Sequence, residues 1–348
     1  MSQNPVPYDP SWPRLYATEK ARLLKALGFC TEGGVVYQIE QVGATSVPGM
    51  TAVPLIEAVI DAYPYPLPPE RVAAMERAGY RYLGQSEDRQ RFRKGDTFQV
   101  EVVSFEGEGW SDAVLLRNYL RASADAAERF SALRGQPDAE LRREAYAWHI
   151  HRTGFKPLEV LRDELEGLDA LWMVSSGWAL DLFMNAPSRY HHDLDITIWR
   201  EDQTRLQRHL EGRGWQMHKI VSQGQYALWE TGEYLQAPVH QIHARRGEDN
   251  FLDILISPRQ GGSWVYRRNP SVKIPIAQAR MESRGIPHLA PEVVLLFKSG
   301  SAAAPTKNRS KDQQDFERVL PALPKKRRLW LKETLLELHP THPWLDQM

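Results

Sequence analysis

The chain has 348 residues, 42% of them hydrophobic and 25% charged, which is typical of a globular protein with room for two domains of ordinary size. Its 44 lysines and arginines balance 44 aspartates and glutamates, and this balance argues against a broad basic surface for nucleic acid or membranes. The single cysteine, Cys30, excludes an internal disulfide and a thiolate metal site.

The N-terminus, MSQNPVPYDPSWP, lacks the basic start and apolar core of a signal peptide. No apolar run approaches the ~20 residues that span a bilayer. We therefore expect a cytoplasmic protein that does not enter a membrane.

In the first half, helical and strand patterns alternate. LYATEKARLLKALG predicts a helix that ends at Gly28, and VVYQIEQVG predicts a strand that ends at Gly43. LIEAVIDAY predicts a buried strand, ERVAAMERAG a helix, and YRYLG, RFRKG and FQVEVVSF three short strands. AVLLRNYLRAS and ADAAERFSALRGQ have the apolar spacing of amphipathic helices, and helical character continues through residues 137–150.

The second half begins near residue 155. PLEVLRDELEGLDAL predicts a helix, LWMVS a strand, WALDLFMN a helix, DLDITIW a strand and EDQTRLQRHLEGRG a helix. WQMHKIV, QYALWE, VHQIHAR and FLDILIS predict successive strands, and PEVVLLFKSG, KDQQDFERVLPAL and LWLKETLLEL predict closing helices. We predict an α/β (α+β) chain of two tandem domains, 1–154 and 155–348, each a small mixed sheet flanked by helices.

Residues 172–199 carry the clearest chemical signal. A short apolar run ends in Ser175-Ser176-Gly177, a helical segment follows, and Asp193-Leu194-Asp195 then lies in an alternating run. Residues two apart in a strand point to the same face, so the two aspartates are predicted to project side by side. Adjacent carboxylates repel each other unless a cation lies between them. Because a Ser-Gly turn lets backbone N–H groups approach a phosphate, the pattern predicts magnesium-assisted chemistry on a nucleotide.

This pattern resembles the nucleotidyltransferase superfamily, in which a Gly-Ser or Gly-Gly turn and a helix precede Asp-x-Asp on a strand. SSGWALDLF and SRYHHDLDITI are similar, more specifically, to aminoglycoside adenylyltransferase-type members, with their GGWALD-like turn and TRxHxDLDI-like strand. The tail blocks GIPHLAPEVVLLFKSG and KNRSKDQQDFERVLP resemble the C-terminal helices of the same group. The resemblance covers residues 155–322.

The resemblance implies one or two Mg²⁺ ions and ATP or another NTP as substrate. It implies that Asp193, Asp195 and Asp253 are catalytic and bind metal, since the superfamily uses a third carboxylate on a later strand. Asp253 is also the implied acceptor of the attacking hydroxyl's proton. The implied nucleotide-binding residues are Ser176, Gly177, Arg189, Lys298 and Lys311. We interpret His191 and His192 as positioning residues at the start of the strand rather than metal ligands.

The first half resembles the GrpB family. Three blocks carry the likeness in the same order: YDPSWPRLYATEKARLLKALG, IEQVGATSVPGMTAVPLIEAVIDA and LLRNYLRASADAAERFSALRG. They cover residues 7–135 and imply a second nucleotidyltransferase-like fold.

The first half departs from the GrpB pattern at several positions. The implied phosphate turn is Gly43-Ala44-Thr45, with alanine where relatives carry serine. Glu57 replaces the family's first aspartate, and Val59 occupies the position where a second carboxylate would pair with it. Val53 replaces a lysine, and Glu101 falls where the family's strand carries histidine. We predict a degenerate domain with, at most, a weak second site at Gly43, Thr45, Glu57 and Glu101.

Together these patterns predict a metal-dependent nucleotidyltransferase. Its C-terminal domain is expected to transfer a nucleoside monophosphate, AMP from ATP in the first instance, to a hydroxyl of a small molecule. The resemblance leaves an aminoglycoside-like acceptor as one option. Two alternatives stay open: a non-catalytic nucleotide- or metabolite-binding protein, and a nucleotidyltransferase that acts on a protein. The balanced charge argues against an RNA substrate, and no sequence feature indicates an oligomeric state.

Overall fold

The computed structural model describes residues 4–28, 36–62, 65–86, 88–104, 107–133, 137–222, 225–247, 250–302 and 310–348. Cys30 and residues 303–309 of the tail block lie outside these ranges. The chain divides into two compact units, called here the first unit (Met1–Arg152 with Val221–Ala227) and the second unit (Thr153–Ile220 with Leu228–Met348). Among the described helices, none combines the length and the apolar character needed to span a bilayer.

The first unit is built around a five-stranded sheet. Its elements are α1 (Trp12–Leu27), β1 (Val36–Val42), β2 (Ile56–Ala62), α2 (Pro69–Arg77), β3 (Arg81–Gln85), β4 (Arg89–Lys94), β5 (Phe98–Ser104), α3 (Gly109–Ala122), α4 (Ala124–Ala132) and α5 (Ala139–Thr153). The strand order is β1-β2-β5-β4-β3, in which only β2 and β5 run parallel. Leu27, Ile60, Phe92 and Val102 are fully buried in its core.

The second unit contains a larger mixed sheet. The elements from residue 156 onward begin with α6 (Lys156–Glu164), β6 (Trp172–Val174), α7 (Ser176–Met184), β7 (Leu194–Trp199), α8 (Gln203–Glu211), β8 (Gln216–Ser222), β9 (Gln225–Leu228), β10 (Gln241–Arg246) and β11 (Asn250–Ser257). Val221–Ala227, at the end of β8 and in β9, are grouped with the first unit. They continue with β12 (Arg259–Gln260), β13 (Ser263–Val265), β14 (Lys273–Pro275), α9 (Ile276–Ala279), β15 (Arg280–Ser283), β16 (Ile286–Leu289), α10 (Pro291–Ala302), α11 (Ser310–Val319) and α12 (Lys325–Leu338). The eight-stranded sheet has the order β15-β16-β6-β7-β11-β10-β8-β9, and β12-β13-β14 form a separate small sheet.

The centre of the large sheet is the parallel pair β7 and β11. Alternation along β7 sends Ile196 and Ile198, both fully buried, to one face and Asp195 and Thr197 to the other. Both units therefore combine mixed sheets with helices, and the predicted α/β fold class is confirmed.

Several elements differ from the sequence-based expectation. The helix predicted from PLEVLRDELEGLDAL ends at Glu164, shortly before Gly167, whose φ of 78° is a left-handed conformation that favours glycine. The helix predicted over 137–150 continues to Thr153. Strands β12 to β16 were not predicted, because runs of two to four residues are too short to show an alternating pattern.

Candidate functional site

Three carboxylates meet on the central strand pair of the second unit. The parallel register places Asp195 of β7 directly opposite Asp253 of β11. Asp193 lies one residue before β7, so the expectation that it belongs to the strand was wrong. Ligand oxygens of the three residues nevertheless lie within 4.8 Å of one another. This carboxylate triad is the one group of three or more such ligands found among the described residues.

The electrostatics of the carboxylate triad are unfavourable without a cation. Burial, and then the charge of Asp193, raise the pKa of Asp195 well above its usual range, against the opposing charges of Lys298 and Lys311. Burial and the other two carboxylates likewise raise the pKa of Asp253. A divalent cation would offset both effects.

Asp253 has one oxygen to spare for a ligand. Its Oδ2 accepts a hydrogen bond from Gln241 Nε2 at 2.7 Å, whereas its buried Oδ1 accepts none from the described residues. His243 Nε2 lies 3.9 Å from Oδ1, but burial lowers the pKa of His243 to about 3, so the imidazole is neutral. A spare carboxylate oxygen beside two further carboxylates fits a hard cation such as Mg²⁺.

The turn after β6 lies beside this group. Ser175 N donates a hydrogen bond to Asp195 O at 2.9 Å, which ties the turn to β7. Ser176 has a φ of 54°, a left-handed conformation that is costly for a residue with a side chain and is typical of functional sites. The buried Ser175 Oγ has no hydrogen-bond partner among the described residues.

Gly177 permits a close approach between the turn and the segment before β7. A Cβ at this position would lie 2.4 Å from Arg189 Nη2 and 2.6 Å from His191 Cε1. Gly177 is therefore required for space, while the positive φ falls on Ser176. The structure places both predicted turn residues, together with Arg189, in one cluster.

Asp181, which the sequence reasoning missed, organises this cluster from α7. It is fully buried and accepts hydrogen bonds from Ser188 N and Oγ at 3.1 and 2.7 Å, from His191 Nε2 at 2.8 Å and from Arg318 Nη2 at 2.6 Å. Burial lowers the pKa of His191 to about 4, and its ring stacks on Trp178 with centroids 4.2 Å apart. Asp181 thus joins α7, the segment before β7, and α11.

Both predicted lysines lie near the carboxylate triad, since the charge of each opposes the raised pKa of Asp195. Lys298 is buried, with Nζ 2.6 Å from Asp312 Oδ1 and 2.9 Å from Asp315 Oδ2. Arg189 Nη2 lies 3.5 Å from the same oxygen of Asp315. Lys311 is close enough for its charge to oppose the raised pKa of Asp195. The two α11 aspartates were not predicted, because within KDQQD they look like ordinary polar helix positions.

A pocket of about 490 Å³ adjoins the carboxylate triad. Four predicted residues, Ser176, Asp195, Asp253 and Lys298, line it. Its lining also includes His240, Arg267 and Arg268, which the sequence reasoning did not identify. The volume is in the range of pockets that hold small molecules.

In the first unit, neighbouring protein groups already contact the predicted turn residues Gly43 and Thr45. Gly43 has a φ of 71°, and a Cβ there would lie 2.0 Å from Glu57 Oε2. Thr45 is buried, and its hydroxyl donates a hydrogen bond to Leu55 O at 3.0 Å. The Thr45 side chain is therefore engaged in holding the loop.

The two glutamates of this unit lie in different surroundings. Glu101 accepts hydrogen bonds from Arg89 Nη1 at 2.8 Å and from Arg91 Nε at 3.1 Å. Burial, and then the charge of Glu101, raise the pKa of Glu57 to about 7. Val59 lies directly opposite Glu101 across the parallel pair, so an apolar residue occupies the position of a paired carboxylate.

Comparisons with known proteins confirm both resemblances. Residues 5–151 match the family model described as GrpB protein, and residues 158–319 match the one described as aminoglycoside-2''-adenylyltransferase. The first half is therefore similar to GrpB proteins, and the second half is similar to aminoglycoside-2''-adenylyltransferases.

Each individual relative matches only one of the two halves of the chain. UPF0157 protein PA4798 of Pseudomonas aeruginosa is 32% identical over 136 residues, which are 36% of this chain and 53% of that protein. UPF0157 protein BH1888 of Halalkalibacterium halodurans is 29% identical over 131 residues, which are 36% of this chain and 65% of that protein. The chain thus spans between half and two thirds of these relatives. The crystal structure of ANT(2")-Ia in complex with adenylyl-2"-tobramycin is 14% identical, with a TM-score of 0.39 over 53% of this chain and 99% of that one.

Proposed function

We propose that the second unit is a metal-dependent nucleotidyltransferase that moves a nucleoside monophosphate, AMP from ATP in the first instance, onto a hydroxyl of a small molecule. The observation that carries the proposal is the carboxylate triad, which lies beside a strained Ser-Gly turn at a pocket of about 490 Å³. The match of residues 158–319 to an adenylyltransferase family supports the same chemistry.

Asp193, Asp195 and Asp253 would hold one or two Mg²⁺ ions. Bound there, the metal would stabilise negative charge on the transferred phosphoryl group and on the departing pyrophosphate. The raised pKa values of Asp195 and Asp253 and the spare Oδ1 of Asp253 support this assignment.

The nucleotide is held by the turn and the surrounding cations. Backbone N–H groups at Ser176 and Gly177 face the phosphates, as at other phosphate-binding turns. Arg189 and Lys311 add positive charge from the segment before β7 and from α11. Lys298, already paired with α11 aspartates, contributes its charge from within that network.

In the transfer step, the acceptor's hydroxyl oxygen forms a bond to the α-phosphorus of the nucleotide. The bond from that phosphorus to the bridging oxygen of the β-phosphate breaks, and pyrophosphate leaves with the electron pair. Asp253 takes the proton of the hydroxyl.

We further propose that the first domain, residues 1–154, is a degenerate partner of a catalytic domain at residues 155–348. The Arg89 and Arg91 contacts of Glu101 and the buried Thr45 hydroxyl support a structural role. The intact carboxylate triad favours catalysis over a purely binding protein. A small, partly enclosed pocket favours a small molecule over a protein as acceptor.

The proposal is tested by pyrophosphate release from each NTP with Mg²⁺ and a panel of hydroxyl acceptors. We expect turnover by the wild type and its loss in Asp195→Asn. The matched control is Asp202→Asn, which removes the charge of another buried aspartate, paired with Arg205 at 2.8 Å and outside the pocket. Full activity in Asp195→Asn, or equal loss in Asp202→Asn, contradicts the assignment.

A further inference from the structure

The pocket that Asp195 and Asp253 of the carboxylate triad line also carries a basic cluster, formed by His240, Arg267 and Arg268. We propose that this basic cluster binds an anionic group, a phosphate or a carboxylate, on the acceptor. The inference rests on the proposed function of the second unit and narrows its acceptor to an anionic hydroxyl compound.

The surroundings of Arg267 carry most of this proposal. It is half-buried and lines the pocket, yet it forms no hydrogen bond or ion pair with another described residue. Arg268 Nη1 donates to a neutral group, the Phe297 carbonyl, at 2.8 Å, and His240 Nδ1 lies 2.8 Å from the Pro238 carbonyl oxygen. Neither of these contacts supplies a negative charge.

The surrounding charges are positive as well. Burial, and then the charge of Arg268, lower the pKa of Arg267, and Arg200 acts in the same direction. Burial, and then the nearby arginines, lower the pKa of His240. Arg200 itself donates to the carbonyls of Leu235 and Val239 at 2.8 and 3.0 Å rather than to a carboxylate.

Holding the half-buried guanidinium of Arg267 beside the positive charge of Arg268 is costly unless an anion compensates the two charges. Within the part of the chain that the structure describes, no carboxylate forms an ion pair with the basic cluster. A ligand anion would recover the cost through charge-assisted hydrogen bonds, for which the arginine guanidinium has a suitable geometry. Gly300 contributes space, because a Cβ there would lie 2.1 Å from Arg268 Nη1.

The distance between His240 of the basic cluster and Asp253 of the carboxylate triad suits a small acceptor that contacts both. Ile256 N donates to His240 O at 2.8 Å, so His240 is level with a residue three positions beyond Asp253 on β11. At a rise of about 3.3 Å per strand residue, this corresponds to about 10 Å. A compound the size of a sugar phosphate spans such a distance, with its hydroxyl at Asp253 and its anion at the cluster.

The same anion chemistry is present in the triphosphate of the nucleotide, which is the second possible source. The nucleotide already has proposed partners at the Ser-Gly turn, Arg189, Lys298 and Lys311. An acceptor anion therefore accounts better for three additional basic side chains. A polycationic acceptor of the aminoglycoside kind would be repelled by them.

The experiment measures anion binding while the nucleotide subsite is filled. Full-length wild-type protein is saturated with Mg²⁺ and α,β-methylene-ATP and is then titrated calorimetrically with inorganic phosphate, glucose 6-phosphate, glucose or tobramycin. We expect the two phosphates to bind and glucose and tobramycin not to bind. Arg267→Gln should weaken phosphate binding at least tenfold, Arg267→Lys should weaken it less, and both should leave the affinity for the nucleotide analogue unchanged.

The control is Arg162→Gln, which removes an exposed arginine of α6 that is paired with Asp163 at 2.9 Å and should match the wild type. A tenfold loss of nucleotide-analogue affinity in Arg267→Gln, or phosphate binding that disappears once the analogue is bound, overturns the inference and assigns the cluster to the triphosphate. Absence of phosphate binding, or binding of tobramycin equal to that of glucose 6-phosphate, also overturns it. Since these titrations need no turnover, their outcome is independent of the pyrophosphate assay.

Discussion

Asp195 and Asp253 face each other in direct register across two parallel strands at the centre of the second unit. With Asp193, they place three carboxylates within ligand distance of a single ion. Burial and mutual repulsion raise the pKa of both in-register aspartates, so this arrangement opposes folding until a cation is bound. The proposed activity and the stability of the metal-free protein are thus set by the same residues.

The metal-free protein should become more stable when one of these charges is removed. The folded state retains protons on the triad to higher pH than the unfolded chain does, so stability falls as the pH rises above the usual carboxyl range. With EDTA at pH 7.5, Asp195→Asn should gain about 1–2 kcal/mol over the wild type in urea unfolding. The gain should vanish near pH 4, and Mn²⁺ should stabilise only the wild type. A variant less stable than the wild type at pH 7.5 in EDTA would refute the prediction.

Glu57 should give the first unit a pH-dependent stability of its own. Its pKa, raised to about 7 from 4.5, means that stability is fully present below pH 4.5 and is lost as the pH rises to about 7. Glu57→Gln should therefore stabilise the protein by about 2–3 kcal/mol at pH 8 and have little effect at pH 4. Pyrophosphate release should not change.

Glu101→Gln is the contrasting substitution in the same sheet. It removes the charge that pairs with Arg89 and Arg91, so at pH 8 it should destabilise the protein by up to about 1 kcal/mol. Urea unfolding at pH 4 and pH 8 measures both variants. Equal effects of the two substitutions at pH 8, or a large loss of activity in Glu57→Gln, would disagree with a degenerate first site.

Asp181 should act as a positioning residue for the phosphate turn. Asp181→Ala leaves His191, Ser188 and Arg318 without their shared acceptor and should destabilise the protein by about 3–5 kcal/mol. At a temperature where the variant is folded, kcat should fall while the affinity for the acceptor is retained. Urea unfolding and steady-state kinetics measure these effects. A change below 1 kcal/mol with unaltered kcat would show that the network is dispensable.

Gly177→Ala should disturb the nucleotide site with little effect on the core. The added methyl group would collide with Arg189 and His191, which must move and alter the turn. We expect KM for ATP to rise at least tenfold. Gly262→Ala is the control, because a Cβ there meets nothing within 4 Å. Equal KM values for the two variants would show that the close approach at Gly177 does not matter for nucleotide binding.

Local sequence patterns predicted the part of the site that lies within one continuous segment. The Ser-Gly turn, α7, Asp193 and Asp195 of β7 follow one another in residues 172–199, so their spacing alone placed them together. Asp253 lies 58 residues beyond Asp195, and only the family resemblance connected it with them. The exact parallel register between β7 and β11 depends on the tertiary fold, so local sequence patterns could not predict it.

The missed residues owe their roles to contacts between distant segments. Asp312 and Asp315 look like ordinary polar positions on α11, and only their pairing with Lys298 of α10 shows that they are buried. Arg267 and Arg268 follow β13, a strand too short to predict, and join His240 through the folding of the sheet. Periodicity cannot reveal such contacts, because it reports only which face of its own element a residue occupies.

The most direct test of the central claim follows the label of radioactive ATP. The protein is incubated with Mg²⁺, a panel of anionic, neutral and cationic hydroxyl compounds, and ATP labelled at either the α- or the γ-phosphorus. We predict that α-label joins an acceptor while γ-label leaves as pyrophosphate, and that Asp195→Asn transfers neither. Transfer of γ-label to an acceptor, no transfer of α-label by the wild type, or undiminished α-label transfer by Asp195→Asn would contradict the account.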